Sequence, residues 1–149
     1  YYKEPNESPY SRPDLAVEYP LILSTGGRIA CYFHSQYRQN PLLRELHRYP
    51  RVQIHPGTAE EYGIADGEWV WIETPRGRIR QVAELFEGID PKVVNVEASW
   101  WYPEDPPPDY GIQKSNANCL TDNQPPYDPA IGSTTLRALL CRIFKAEQE

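Results

Sequence analysis

No apolar run in this chain is longer than a single buried strand. A strongly aliphatic one sits around residues 21–23, inside residues 19–24 (YPLILS). It stops at Thr25-Gly26-Gly27, which reads as a strand entering a tight turn. Nothing approaches the ~20 apolar residues that a membrane-spanning helix needs, so no direct membrane insertion is expected. A core must therefore be assembled from short pieces that bury one another. With 149 residues, the chain is long enough for one domain with its own core.

Residues 40–49 (NPLLRELHRY) place Leu42, Leu43, Leu46 and Tyr49 at helical spacing. Asn40 can cap that helix, Pro41 can occupy its first turn, and Pro50 ends it. Residues 52–55 predict a short strand, and residues 58–62 one or two helical turns closed by Gly63. Asp66-Gly67 signals a turn. Residues 68–74 (EWVWIET) alternate around Val70 and Ile72. Pro75-Arg76-Gly77 turns the chain, and residues 78–86 alternate again with Ile79, Val82 and Leu85 partly in phase. Together these predict a β-hairpin. Residues 92–96 (KVVNV) predict a further strand.

Four prolines make residues 102–110 a loop, and residues 124–132 form another proline-containing loop. Residues 135–144 (TLRALLCRIF) suit either the start of a helix or a final strand. Many short strands and frequent turn signals argue for a mainly β barrel or sandwich with a few short helices. Residues 1–18 read as an extended linker or arm, residues 19–144 as the domain, and residues 145–149 as a charged tail.

The net charge of −6 argues against a nucleic-acid role, which usually shows as a basic face. Cys31, Cys119 and Cys141 have neither metal-site spacing nor an even disulfide count, and read as small packing residues. His34, His47 and His55 match no common ligand pattern. The chain contains no methionine, even at position 1, as expected of a piece of a longer polypeptide.

Three clusters carry chemistry. Ser24-Thr25-Gly26-Gly27-Arg28 combines close backbone approach, hydroxyls and a charged fork, which suits an anionic oxygen; a plain hairpin turn is the other reading. Residues 33–39 (FHSQYRQ) gather His34, Ser35, Gln36 and Arg38. That donor and acceptor set suits a polar heterocycle, or else a solvated loop before the helix. Residues 115–121 (SNANCLT) supply Asn116 and Asn118, whose amides can read a heterocycle edge or make local turns. Residues 99–102 (SWWY) form a stacking surface or part of a core.

Taken in order, STGGR, FHSQYRQ, IHPGTAEEYGIADGEWVWIETPRG, WWYPE and SNANCLT resemble the molybdopterin dinucleotide-binding domain. That domain ends the catalytic subunits of the dimethyl sulfoxide reductase family. The resemblance covers roughly residues 19–144. It implies a six-stranded double-psi β-barrel, like that of aspartate decarboxylase. It also implies contacts to bis(molybdopterin guanine dinucleotide), with Mo or W, from Thr25, Gly26, Gly27, Arg28, His34, Ser35, Gln36, Arg38, Asn116 and Asn118. Gly26-Gly27-Arg28 stands where many relatives have one glycine before the arginine. The implied partners are the remaining N-terminal domains of the same subunit, and an iron–sulfur electron-transfer subunit is compatible. Metal-ligating and cluster-binding residues would lie earlier in that subunit, in a prokaryotic cytoplasm or periplasm. Two other readings stay open. One is a non-enzymatic interaction module on the same barrel, with WWYPE as its surface. The other is a small decarboxylase-like barrel, for which Gly132-Ser133 supplies a dipeptide.

Overall fold

The short apolar segments become six strands: β1 (Leu21–Gly27), β2 (Arg51–Ile54), β3 (Trp69–Thr74), β4 (Gly77–Leu85), β5 (Val93–Glu97) and β6 (Arg137–Lys145). The computed structural model describes residues 2–146. Hydrogen bonds join the strands in the order β1-β5-β2-β4-β3-β6, and β6 pairs back onto β1 to close a barrel. Two of the six pairings, β1 with β5 and β2 with β4, are parallel. The mainly β, six-stranded barrel expected from the sequence is thus what forms.

Period-two alternation fills the interior. Leu21, Leu23, Val52, Ile54, Val70, Ile72, Ile79, Val94, Val96 and Ile143 all point inward and are buried. Each such side chain stabilises the fold by roughly 1.5–3 kcal/mol relative to exposure. Strand β2 is short and pairs only with residues 82–85 of β4. Beside the remaining stretch of β4 lie α4 (Ile112–Ser115) and a 3-10 turn (Ala117–Leu120). Their approach is close: a Cβ on Gly77 would stand 3.0 Å from the Cys119 carbonyl oxygen.

Four expectations change. First, Thr25-Gly26-Gly27 does not turn but continues β1, with Gly27 opposite Glu97 of β5. The glycines serve strand approach, because a Cβ on Gly27 would meet the Val96 carbonyl oxygen at 2.7 Å. Second, β4 buries Ile79, Gln81 and Ala83, and Val82 faces outward. Strict alternation from Ile79 puts a polar Gln81 inside, where three of its four hydrogen-bonding positions are used. Its Nε2 donates to the carbonyls of Glu97 (3.0 Å) and Ser115 (3.1 Å), and its Oε1 accepts from the Glu97 N–H (3.1 Å). Of the two readings left open for residues 135–144, the final strand is the one that forms, as β6.

Third, the helix beginning at Asn40 is short. Helix α2 (Pro41–Leu46) has the expected cap, with Asn40 accepting from the Leu42 N–H. It ends before Pro50 because His47 is extended and donates to Glu97 at 2.8 Å. Its Leu42 and Leu46 are each 70% exposed, so their spacing faces away from this core. Helix α3 (Pro56–Glu61) is capped by His55 Nδ1 and closed by Gly63 at φ +65°.

Fourth, the segment expected to run as an extended arm folds back instead. It contains a helical turn, α1 (Pro13–Ala16), and Glu7 forks the Arg76 guanidinium through two 2.8 Å bonds. Of the expected charged tail, Lys145 ends β6 and Ala146 is buried; residues 147–149 lie outside the described residues.

Gln81→Leu fills the same space but strands three buried backbone groups. It is expected to destabilise the barrel by about 3 kcal/mol, read as a lowered urea midpoint at unchanged slope.

Candidate functional site

Strands β1 and β5 run parallel and end together, so the segments that follow them leave over the same end of the barrel. The Ala98 N–H donates to the Gly27 carbonyl at 3.0 Å and holds the two exits side by side. Between them opens a cleft of about 160 Å³. Gly27, Arg28, His34 and Arg38 line it from the β1 side, and Ala98 and Ser99 from the β5 side. Ile29, Tyr32 and Phe33 complete the wall, so among the described residues no carboxylate lines it.

The floor is a small second core. Trp100 is completely buried, with Tyr32 and Tyr102 packed edge-on against it at ring separations of 6.1 Å. The Arg38 guanidinium is sandwiched between two aromatic rings, 4.1 Å from the Tyr32 centroid and 4.2 Å from that of Trp100. Its exposure is 0%. One nitrogen donates to the carbonyls of His34 (3.2 Å) and Ser99 (3.4 Å). Nε and Nη1 find no hydrogen-bond partner among the described residues. Burial pushes the Arg38 pKa below its usual value, the direction expected for a desolvated cation. Stacking on aromatic faces offsets part of that cost.

Behind this stack stands a brace. The Glu97 carboxylate accepts from His47 Nε2 at 2.8 Å and from the Arg51 N–H at 2.9 Å. Tyr32 donates to the His47 carbonyl at 2.9 Å. His34 and Ser99 in the wall above, and Tyr37 beside it, all adopt positive φ. Backbone strain of this kind is maintained where surrounding packing over-determines it, often at ligand sites.

The ten residues singled out in the sequence are only partly gathered. Gly27, Arg28, His34 and Arg38 share the cleft. Thr25 instead donates from Oγ1 to the Leu136 carbonyl, and Gly26 lies under the Arg137 side chain. Ser35 and Gln36 are exposed in the turn before α2. The Asn116 amide is occupied locally: Nδ2 donates to the Trp100 carbonyl at 2.9 Å, and Oδ1 accepts from the Asn118 N–H at 3.0 Å. Asn118 is exposed. Tyr32 and Ser99 were missed as wall residues. An aromatic two residues before a His-Ser-Gln run and a serine just past a strand carry no distinctive spacing.

Trp100 and Tyr102 belong to the core, so residues 99–102 are not an open stacking surface. Among the described residues no cluster of His, Cys, Asp or Glu could hold a metal ion. Cys141 is buried and its thiol pKa is pushed up, as suits a packing residue.

A family model described as "Molydopterin dinucleotide binding domain" matches residues 21–139. The chain is 49% identical to dopamine dehydroxylase of Eggerthella lenta over 148 residues, covering 99% of this chain and 14% of that protein. It is 35% identical to acetylene hydratase of Syntrophotalea acetylenica over 152 residues, covering 97% of this chain and 21% of that protein. The solved structure of acetylene hydratase from Pelobacter acetylenicus matches with a TM-score of 0.91 at 32% identity, over 98% of this chain and 21% of that one. The chain thus spans between 14% and 21% of the length of these relatives.

A cation buried with unused donors adds little to folding. Arg38→Met, which keeps much of the volume between the rings, is expected to leave the ligand-free chain within about 1 kcal/mol of its original stability or to raise it. Trp100→Ala removes the floor itself and is expected to cost about 3–5 kcal/mol. Urea unfolding of the two variants side by side checks both.

Proposed function

The chain belongs to the molybdopterin dinucleotide-binding domain family, and on that premise we propose that its cleft holds part of bis(molybdopterin guanine dinucleotide), with Mo or W, inside a larger oxidoreductase. The observation that carries this reading is the buried Arg38 with two unpartnered donors, beside Arg28 in a cleft lined by no carboxylate. The Arg28 fork at the rim, with the buried Arg38 charge beneath it, fits an acceptor-rich, anionic group. Gly27, without a side chain, lets a ligand approach the strand backbone. Arg28 offsets phosphate charge at the rim, and Arg38 does so from the floor. His34, Ser35 and Gln36 offer side chains to heterocycle edges from the segment above. Thr25 and Gly26 set the position of the strand end. Asn116 orders the turn that presents the exposed Asn118 amide.

When bound, the cofactor supplies the redox chemistry; the chain binds it and sets the electrostatics around it. The domain comprises residues 19–144 on this reading, and the remaining domains of the same subunit supply the opposite wall. Phe33, 62% exposed at the cleft, and the exposed Leu42 and Leu46 of α2 are suited to be covered by them. An iron–sulfur electron-transfer subunit is a compatible further partner.

Cofactor extracted from a molybdoenzyme is expected to bind this chain alone weakly, and the complete catalytic subunit far more tightly. Quenching of tryptophan fluorescence reports both. Arg28→Ala in the complete subunit is expected to lower retained cofactor about tenfold, the loss of one charge-assisted contact. Redox turnover by this chain alone, or equal affinity of chain and subunit, would overturn the proposal.

A further inference from the structure

Strand β6 carries an irregularity where it meets the end of β1. Leu23 faces Leu139, but Ser24 faces Arg137, so Ala138 is an extra residue on the β6 side. Its φ is +58°, in the left-handed region that residues with a side chain rarely adopt. A bulge of this kind bends the strand and re-aims its neighbours. Here the neighbour is Arg137. Its guanidinium lies across Gly26, where a Cβ would stand 2.8 Å from Nη2 and 3.2 Å from both Cζ and Nε. The seat exists only because residue 26 has no side chain. The bond from Thr25 Oγ1 to the Leu136 carbonyl fixes the two strands alongside it.

Five of the eleven arginines of this acidic chain have a carboxylate within ion-pair distance. Arg12, Arg44, Arg51, Arg76 and Arg142 each meet a carboxylate. Arg137 and Arg28 make no hydrogen bond or ion pair with any described residue. They flank one strand end from opposite sides. Gly27 turns toward β5 and the cleft that Arg28 lines, whereas Gly26 turns toward β6 and Arg137. A strained backbone, a glycine cradle and an unpaired guanidinium together describe a pre-set anion contact.

We infer that Arg137, seated on Gly26, is a further binding residue for phosphate oxygens of the dinucleotide cofactor, acting on the β6 side of the strand end as Arg28 acts on the cleft side. This rests on the cofactor reading above. Arg137 is exposed, so it binds and positions rather than supports the core.

The test uses the complete catalytic subunit and measures guanine nucleotide released by acid after washing in rising salt. Arg137→Ala is expected to lower retained nucleotide about tenfold and to release it at lower salt. Arg137→Lys keeps the charge but not the fork, and should fall between. Gly26→Val should reproduce the loss by occupying the seat, and combining it with Arg137→Ala should add nothing. Circular dichroism checks that each variant folds; should Arg137→Ala fail to fold, Arg137→Gln takes its place with the same expected loss. Full retention in Arg137→Ala while Arg28→Ala loses nucleotide would overturn this inference alone. Full retention in both would overturn the cofactor reading as well. Additive losses from Gly26→Val and Arg137→Ala would refute the shared seat.

Discussion

The close approach of β1 to β5 at Gly27 sets the rest of the structure. A methyl group there would press on the Val96 carbonyl, so only glycine allows the two parallel strands to end in contact. Because they end together, the segments after them rise from the same place and part to form the cleft. Opposite Gly27 stands Glu97, and much of the support for the cleft passes through it. Its backbone is bound in both directions by the buried Gln81 amide, and its carboxylate holds His47 and the start of β2. One residue therefore couples the barrel interior to the aromatic floor.

That floor holds a charge in a place that stability alone would not choose. Desolvating a guanidinium is costly, and two of the Arg38 donors gain nothing in return. Tyr32 and Trp100 make the arrangement tolerable by facing the cation with their π-clouds. On the cofactor reading proposed above, that cost leaves a cation whose position is fixed before any ligand arrives. A preorganised charge does not have to be immobilised on binding, which is where much affinity is otherwise lost.

The barrel was largely legible in the sequence because period-two alternation is a local signal. Val70 and Ile72 announced β3, and Gly63 and Gly67 marked their turns. What misled was anything decided across strands. Thr25-Gly26-Gly27 has turn composition, yet Gly27 answers to the Val96 carbonyl of β5 and Gly26 to the Arg137 side chain on β6. Gln81 reads as a surface residue until its partners at Glu97 and Ser115 are in place. Leu42 and Leu46 show correct helical spacing, but spacing does not say which surface a stripe will meet. Within the candidate site, polar clustering found Arg28, His34 and Arg38. It could not find Tyr32, Ser99 or Arg137, whose places follow from packing and from a bulge.

Closure by β6 has a consequence for how the molecule is made. Strand β6 lies between β1 and β3, yet it is the last strand in chain order. While the chain is being synthesised, β1 and β3 lack this shared neighbour, and the inward faces of Leu23 and Ile72 are left incompletely covered. Pairings over such sequence separation form late, after most of the loop-closure entropy has been lost. The barrel therefore cannot mature strand by strand as it emerges from the ribosome. It must wait, partly open, for residues 137–145, and the same late step that seals the core brings Arg137 onto Gly26.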